Sequence, residues 1–499
     1  MTTPWPAPDA DAPKSHAQGS HAAGSHRPNY AVRRTLVGIG LAGIVAGAVF
    51  MVVSRRGDGT EGADSAVAHW NAVVAQDLAS GTITVFDRDG AEVATVETDL
   101  IGLSDVGIAG TLLVGEQGDT SADGVGLLDL ESGAIRALRL HTDLQPGTAG
   151  EAFRVGYDSS TKAIELLDAG RAQVVDLLRY TDAADPVVLP VSVRVDPEGD
   201  HVAFTELTKS ETILVDLESS TAVSMPGTLI DMAFRSVVTL TNRGDTVLLD
   251  RYDLEGRRTG TVEVPMPAAV MLVDDTAAIT VGRDGIVTQI DFAHESIAEV
   301  ADLATAPPTE SGAPVTACDA PGDDGGDDPG DASAAPTEIV SSGIALLSHT
   351  RLAVFGDEFV AFVDADGVVV GRVPTAAPVT PVGGLRVRHR CVLVAPVSRA
   401  SNTLLDAETG TTIVSFDKGE AIGQSADGCT VAFKEVARDV IRLVGPGVDR
   451  DLDARVRGLS ADATAALRID TDGIAVIVLD SDDELVLTGG RGTAVFAVR

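Results

Sequence analysis

The chain has 499 residues, with 74 acidic side chains against 37 basic ones and a formal net charge of −37. A surface of that sign repels phosphate backbones, which argues against a nucleic-acid partner and suits a solvated exterior domain. Hydrophobic residues reach 44% but aromatics only 4%, so the core must be Val, Leu, Ile and Ala, and three cysteines are too few for a disulfide-dense scaffold.

Residues 1–29 are rich in Pro, Ala, Ser, Gly and His without apolar periodicity, which predicts disorder. Ser-His pairs recur at 15–16, 20–21 and 25–26. They read as low complexity rather than a metal tract, because nothing holds the imidazoles in a fixed geometry.

Residues 35–53, TLVGIGLAGIVAGAVFMVV, carry no charge and no proline. At ~1.5 Å per residue a helix of this length matches a ~30 Å hydrocarbon core, so one membrane-spanning helix is predicted. Arg27, Arg33 and Arg34 before it nearly balance Arg55 and Arg56 after it. Lys14, and the turn to negative charge at Asp58, Glu61 and Asp64, place the 1–34 tail in the cytoplasm and the long domain outside. Arg33-Arg34 also fits a twin-arginine export signal, with Ala46-Gly47-Ala48 as a cleavage site. The apolar run is longer than the ~7–15 residues of a signal core, which favours an uncleaved anchor.

Within this segment, residues 38–43 match GxGxxG but lack the preceding strand and soluble βαβ unit of a dinucleotide site. Gly43 and Gly47 form a GxxxG pair through which two membrane helices can approach, although glycine is common in such helices anyway. Residues 54–65 read as a linker.

From residue 66 to 499 the pattern is all-β: short runs of Val, Ile, Leu and Thr between turns of Asp, Gly, Asn and Pro. One phrase recurs, an apolar strand, then Asp, then a Gly- or Ser-bearing turn, then another strand. It stands at 85–90 (VFDRDG), 127–133 (LLDLESG), 214–220 (LVDLESS), 251–256 (RYDLEG), 362–367 (FVDADG) and 404–410 (LLDAETG), with weaker copies at 174–178, 289–292, 443–447 and 478–482. The spacing is ~40 residues, the period of four-stranded propeller blades. A second phrase, strand–turn–strand ending in Ala-Phe, appears at 191–204 (VSVRVDPEGDHVAF) and 421–433 (AIGQSADGCTVAF).

Ten modules predict a β-propeller of four-stranded repeats after the membrane helix: one unusually large ring, two smaller rings, or a ring with incomplete blades. The apolar end of the chain, residues 493–498, is expected to close the ring by completing the first blade.

These phrases resemble the extracytoplasmic WD40-like and quinoprotein-like β-propellers of bacteria. The Trp-Asp dipeptide of WD40 blades is absent, Trp5 and Trp70 being the only tryptophans. Missing blade-docking tryptophans argue against a quinone cofactor, and no cofactor is expected. Tail, membrane helix and propeller together bear a weaker likeness to actinobacterial surface proteins with fibronectin type III domains, although no such domain follows here.

Residues 304–337 interrupt the period with a Pro-, Gly- and Asp-rich stretch that reads as a disordered acidic arm. Its aspartates (319, 323, 324, 327, 328 and 331) do not follow EF-hand spacing, so no metal site is assigned. Cys391 and Cys429 each open a strand after a turn in neighbouring modules. Such positions can lie close together, so a disulfide in an oxidising compartment and two free thiols are both open; Cys318 either joins one of them or stays free.

No GxSxG, HExxH or P-loop is present, and His69, His141, His201, His294, His349 and His389 stand singly. No catalytic residue is assigned. The expected function is a membrane-anchored extracytoplasmic propeller that binds or scaffolds a protein or cell-envelope ligand. The alternative is a hydrolase whose site lies in the central channel.

Overall fold

The computed structural model describes residues 69–115, 124–145, 152–306, 343–375 apart from 349 and 357, 379–381, 390–396, and 401–499 apart from 418, 436, 437, 439, 472 and 482. The segment 35–53, Gly43 and Gly47, Cys318 and nearly all of the 304–337 arm lie outside the described residues. Among the described residues no helix is long and apolar enough to cross a membrane.

The described residues form forty strands and two short 3-10 turns. The strands make ten four-stranded sheets, each antiparallel. Nine are simple meanders: blades 2 (103–138), 3 (143–176), 4 (194–226), 5 (228–265), 6 (267–302), 7 (343–374), 8 (379–417), 9 (419–452) and 10 (456–487). The tenth, blade 1, combines Ala72–Asp77, Thr82–Asp87 and Glu92–Glu97 with the chain end Thr493–Ala497. Strands of a blade are called a to d, from the first, inner strand to the last, outer one.

Why these sheets form a ring follows from where the apolar side chains go. A lone sheet of this composition leaves two greasy faces, and each blade buries both against its neighbours. The hydrophobic core accordingly falls into ten clusters, one between every consecutive pair of blades. Val106, Leu113 and Leu127 of blade 2 pack with Leu167 and Ala169 of blade 3. The last cluster joins Leu467, Ile474 and Val476 of blade 10 to Val73 and Phe86 of blade 1. Ten blades with ten joints make one closed ring of ten, a β-propeller, and dispose of the two-ring and incomplete-blade alternatives.

Burial along the strands agrees. Strand b is covered on both faces, as in His201–Glu206, where five of the six residues are buried. Strand d faces solvent, as in Ser296–Asp302, where no residue is fully buried. Six of the few aromatic side chains are fully buried in these joints (Phe86, Phe204, Phe292, Phe355, Phe362 and Phe433).

The closing strand does what the apolar chain end suggested. Thr493–Ala497 runs antiparallel to Ala72–Asp77, with Ala72 opposite Ala497 and Gln76 opposite Thr493. It is therefore strand a of blade 1, whose other three strands come from the beginning of the described chain. Asn71 and Arg499 tie the ends: the Arg499 N–H donates to Asn71 Oδ1 (2.6 Å) and Asn71 Nδ2 donates to the Arg499 carbonyl (3.2 Å).

Candidate binding surfaces

The meander puts all a–b and c–d turns on one face of the ring, here the upper face, and all b–c turns and d–a connections on the lower face. The recurring Asp of the first phrase sits in the c–d turn. In all six strong copies its Oδ1 accepts two backbone N–H groups of the turn: Asp87 from Asp89 and Ala91, Asp129 from Glu131 and Ser132, Asp216 from Glu218 and Ser219. Asp253, Asp364 and Asp406 do the same.

The next residue, which follows an Asp in blades 2, 3, 4, 6 and 8 and Val478 in blade 10, is apolar for a separate reason. Its side chain enters the joint while its N–H donates to the carbonyl just before strand b: Leu130 to Gly110, Ala169 to Ala152, Leu217 to Asp200, Phe292 to Thr276, Ala407 to Arg390 and Leu479 to Thr464, all at 2.7–2.9 Å. In these six blades the phrase is a structural clamp between the two upper turns.

These hydrogen bonds hold several carboxyls below the usual carboxylate range. Asp129 is held down chiefly by the Ser132 hydroxyl, Asp216 by the Ser219 backbone N–H, and Asp291 by the His294 ring. The upper face therefore carries ionised carboxylates around its circumference.

Two weaker copies depart from the pattern, one by its position and one by its residues. Residues 174–178 belong to strand d of blade 3 and its exit; the c–d turn of that blade is at Asp168, whose carboxylate accepts the Arg171 N–H at 2.9 Å. In blade 9 the turn follows Val440–Gly445 without an Asp. The second phrase forms the a–b turn, where Ser425 Oγ donates to Asp427 and accepts the Thr430 N–H. The same turn recurs at Ser460 and Asp462, but Ala463 replaces the glycine at φ 54°.

Cys391 opens strand b of blade 8 and Cys429 precedes strand b of blade 9. A disulfide joins them, both residues are buried, and the bond ties the two blades across their joint. Each described histidine of the sequence set meets one carboxylate: His69 with Asp462 (2.8 Å), His141 with Glu165 (3.0 Å), His201 with Asp196 (3.4 Å) and His294 with Asp291 (2.7 Å). His349 and His389 lie outside the described residues. Among the described residues no group of three or more His, Cys, Asp or Glu side chains is placed to hold a metal ion.

A cleft of about 560 Å³ opens on the lower face of blade 1, between its b–c turn and the connection to blade 2. Its walls include Leu78, Ser80, Gly81, Glu97, Asp99 and Ile101. The Thr98 N–H donates to the Gly81 carbonyl (2.8 Å), which fixes one wall to the other. A Cβ on Gly81, at φ 70°, would lie 2.3 Å from the Thr98 carbonyl oxygen, so only glycine fits there. Behind the cleft the buried Gln76 donates to the Leu100 carbonyl and accepts the Gly102 N–H.

No protein-family model matches the chain, and no curated protein matches it. Solved structures do. The chain is similar to the dihydro-haem d1 dehydrogenase NirN in complex with DHE (12% identity, 80% of this chain and 77% of that one, TM-score 0.37). It is similar to a eukaryotic initiation factor (11% identity, 77% and 96%, TM-score 0.43) and to the C-terminal WD40 domain of Sif2 (10% identity, 67% and 91%, TM-score 0.36). At these TM-scores the likenesses carry nothing further to this chain. The propeller stands on its own strand order and its ten joints.

Proposed function

We propose that this protein is a binding or scaffolding ring displayed outside the cell membrane, held by an anchor at residues 35–53, and that it engages a protein or cell-envelope ligand through the turns of its faces. The observation that carries the reading is the construction of the ring. Its chemistry-bearing groups are spread over the turns of many blades, with the carboxylates of the upper turns directed to one face and held by their own backbones. Such a surface presents charge and shape to a large partner. The disulfide between blades 8 and 9 supports an oxidising compartment.

The test uses the full chain in intact cells. A photo-crosslinking amino acid is placed at Glu131 or Glu218 on the upper face, at Ser80 on the lower face, and at Val223 on the outer edge. The expected result is one cross-linked partner from one face and none from the edge, with external protease releasing the ring. Equal labelling from all positions, or a ring protected from external protease, overturns the reading.

A further inference from the structure

Leu78 and Ile101 are two of the large apolar side chains most exposed in the described residues, at 49% and 45%. Single exposed leucines need no explanation, but these two line the same cleft. They come from different connections of blade 1, the b–c turn and the exit from strand d, so the fold itself brings them together. Their neighbours in the cleft wall are the carboxylates Glu97 and Asp99. Asp77 adjoins Leu78, and its carboxyl is held below the usual range by the Ala79 N–H, with Ser80 and the Arg491 charge adding to it. No Lys or Arg lines the cleft. The volume of about 560 Å³ falls in the ~300–1,000 Å³ range of ligand clefts, and the Thr98–Gly81 backbone hydrogen bond joins the two walls.

We propose that this cleft docks an extended, cationic segment of a partner protein, inserting an aliphatic side chain against Leu78 and Ile101 while flanking Lys or Arg side chains meet Glu97 and Asp99. Charge complementarity selects this occupant: an acidic rim disfavours an acidic peptide, and an apolar floor gives a purely polar cation nothing to bury. The proposal rests on the binding reading above and deepens it by naming the chemistry of one partner.

The experiment uses the full chain in detergent micelles and a fluorescein-labelled probe, acetyl-Lys-Leu-Lys-Leu-Lys-amide, read by anisotropy. The control acetyl-Lys-Ser-Lys-Ser-Lys-amide has the same charge. Two double variants alter the cleft separately: Leu78→Ser with Ile101→Ser removes the floor, and Glu97→Gln with Asp99→Asn removes the rim charge. All four residues are exposed to the cleft, and circular dichroism checks that each variant folds.

The expected result is saturable binding of the leucine probe, at least tenfold weaker in either variant and at least tenfold weaker for the serine control. Equal binding by wild type and both variants means diffuse attraction to the acidic ring and overturns the cleft proposal while leaving the binding reading intact. No binding by wild type overturns it likewise. A concentration-dependent dimer lost in the Leu78→Ser, Ile101→Ser variant assigns the cleft to a second copy of the chain and also overturns the proposal.

Discussion

Phe496 offers the sharpest test of ring closure. It lies on the closing strand, its ring centroid is 5.0 Å from that of Trp70, and it packs against the cluster joining blades 10 and 1. The same short strand also reaches the next joint, where Val495 and Ala497 pack with Leu112 and Leu128 of blade 2. Replacing a core Phe with Ala costs ~3–5 kcal/mol, of which an aromatic pair contributes ~0.5–1.5. Phe496 is only half-buried, so Phe496→Ala is expected to cost about 3 kcal/mol, a large share of the ~5–15 kcal/mol that holds a domain together.

The comparison is Val486→Ala in an outer strand, where the side chain is 60% exposed and a change within ~0.5 kcal/mol is expected. Urea unfolding followed by circular dichroism measures both, with the slope checked for constancy. If Phe496→Ala costs no more than Val486→Ala, the closing strand does not hold the ring and the reasoning fails. Deletion of residues 492–499 should go further. It strips the partner from Ala72–Asp77, exposes that strand's edge and drives aggregation, seen as loss of the monomer peak in size-exclusion chromatography.

Breaking the disulfide with Cys391→Ala and Cys429→Ala should cost up to ~4 kcal/mol in the chain-entropy account for a separation of 38 residues, measured by the same unfolding curves. Glu295 holds φ 49° in the c–d turn of blade 6, where other blades place glycine; Glu295→Gly should stabilise by ~0.5–1 kcal/mol, and a lower urea midpoint would refute it. Gly371 lies where an added Cβ would come 2.2 Å from the Gly410 Cα of the next blade, so Gly371→Ala should destabilise by ~1–3 kcal/mol in the same assay.

Acid should unfold the ring through its turn carboxylates. Asp158 is held down to about 2, first by the Thr161 hydroxyl and then by Ser160, and Asp129 and Asp216 are also lowered. A folded-state pKa below the unfolded ~3.9 gives stability that is present above pH ~4 and lost as pH falls through the folded pKa. Asp129→Asn with Asp216→Asn should flatten the loss of melting temperature below pH 4; an unchanged acid slope would show that these turns are not its source.

Much of the fold was legible in the sequence because its signals are local. The Asp that caps a c–d turn and the apolar residue after it recur from blade to blade because together they clamp the turn to strand b, although blade 9 lacks the Asp and blade 1 has Arg88 after it. The count of ten modules followed from that phrase, and the closing strand from the apolar residues 493–498. Where the signal failed, the cause is conformational. Ala172, Glu295 and Ala463 take positive φ angles that glycine marks elsewhere, which blurs the turns of blades 3, 6 and 10.

What only the tertiary structure decided depends on which blades meet. No local pattern separates one ring of ten from two smaller rings; the joint between blades 10 and 1 does. Cys391 and Cys429 came together because adjacent blades place the start of strand b side by side, and Leu78 and Ile101 because two connections of one blade line the same cleft. These are contacts between segments far apart in a repeat whose members look alike. Local chemistry sets what each blade is, and packing between blades sets the ring and the surfaces it offers.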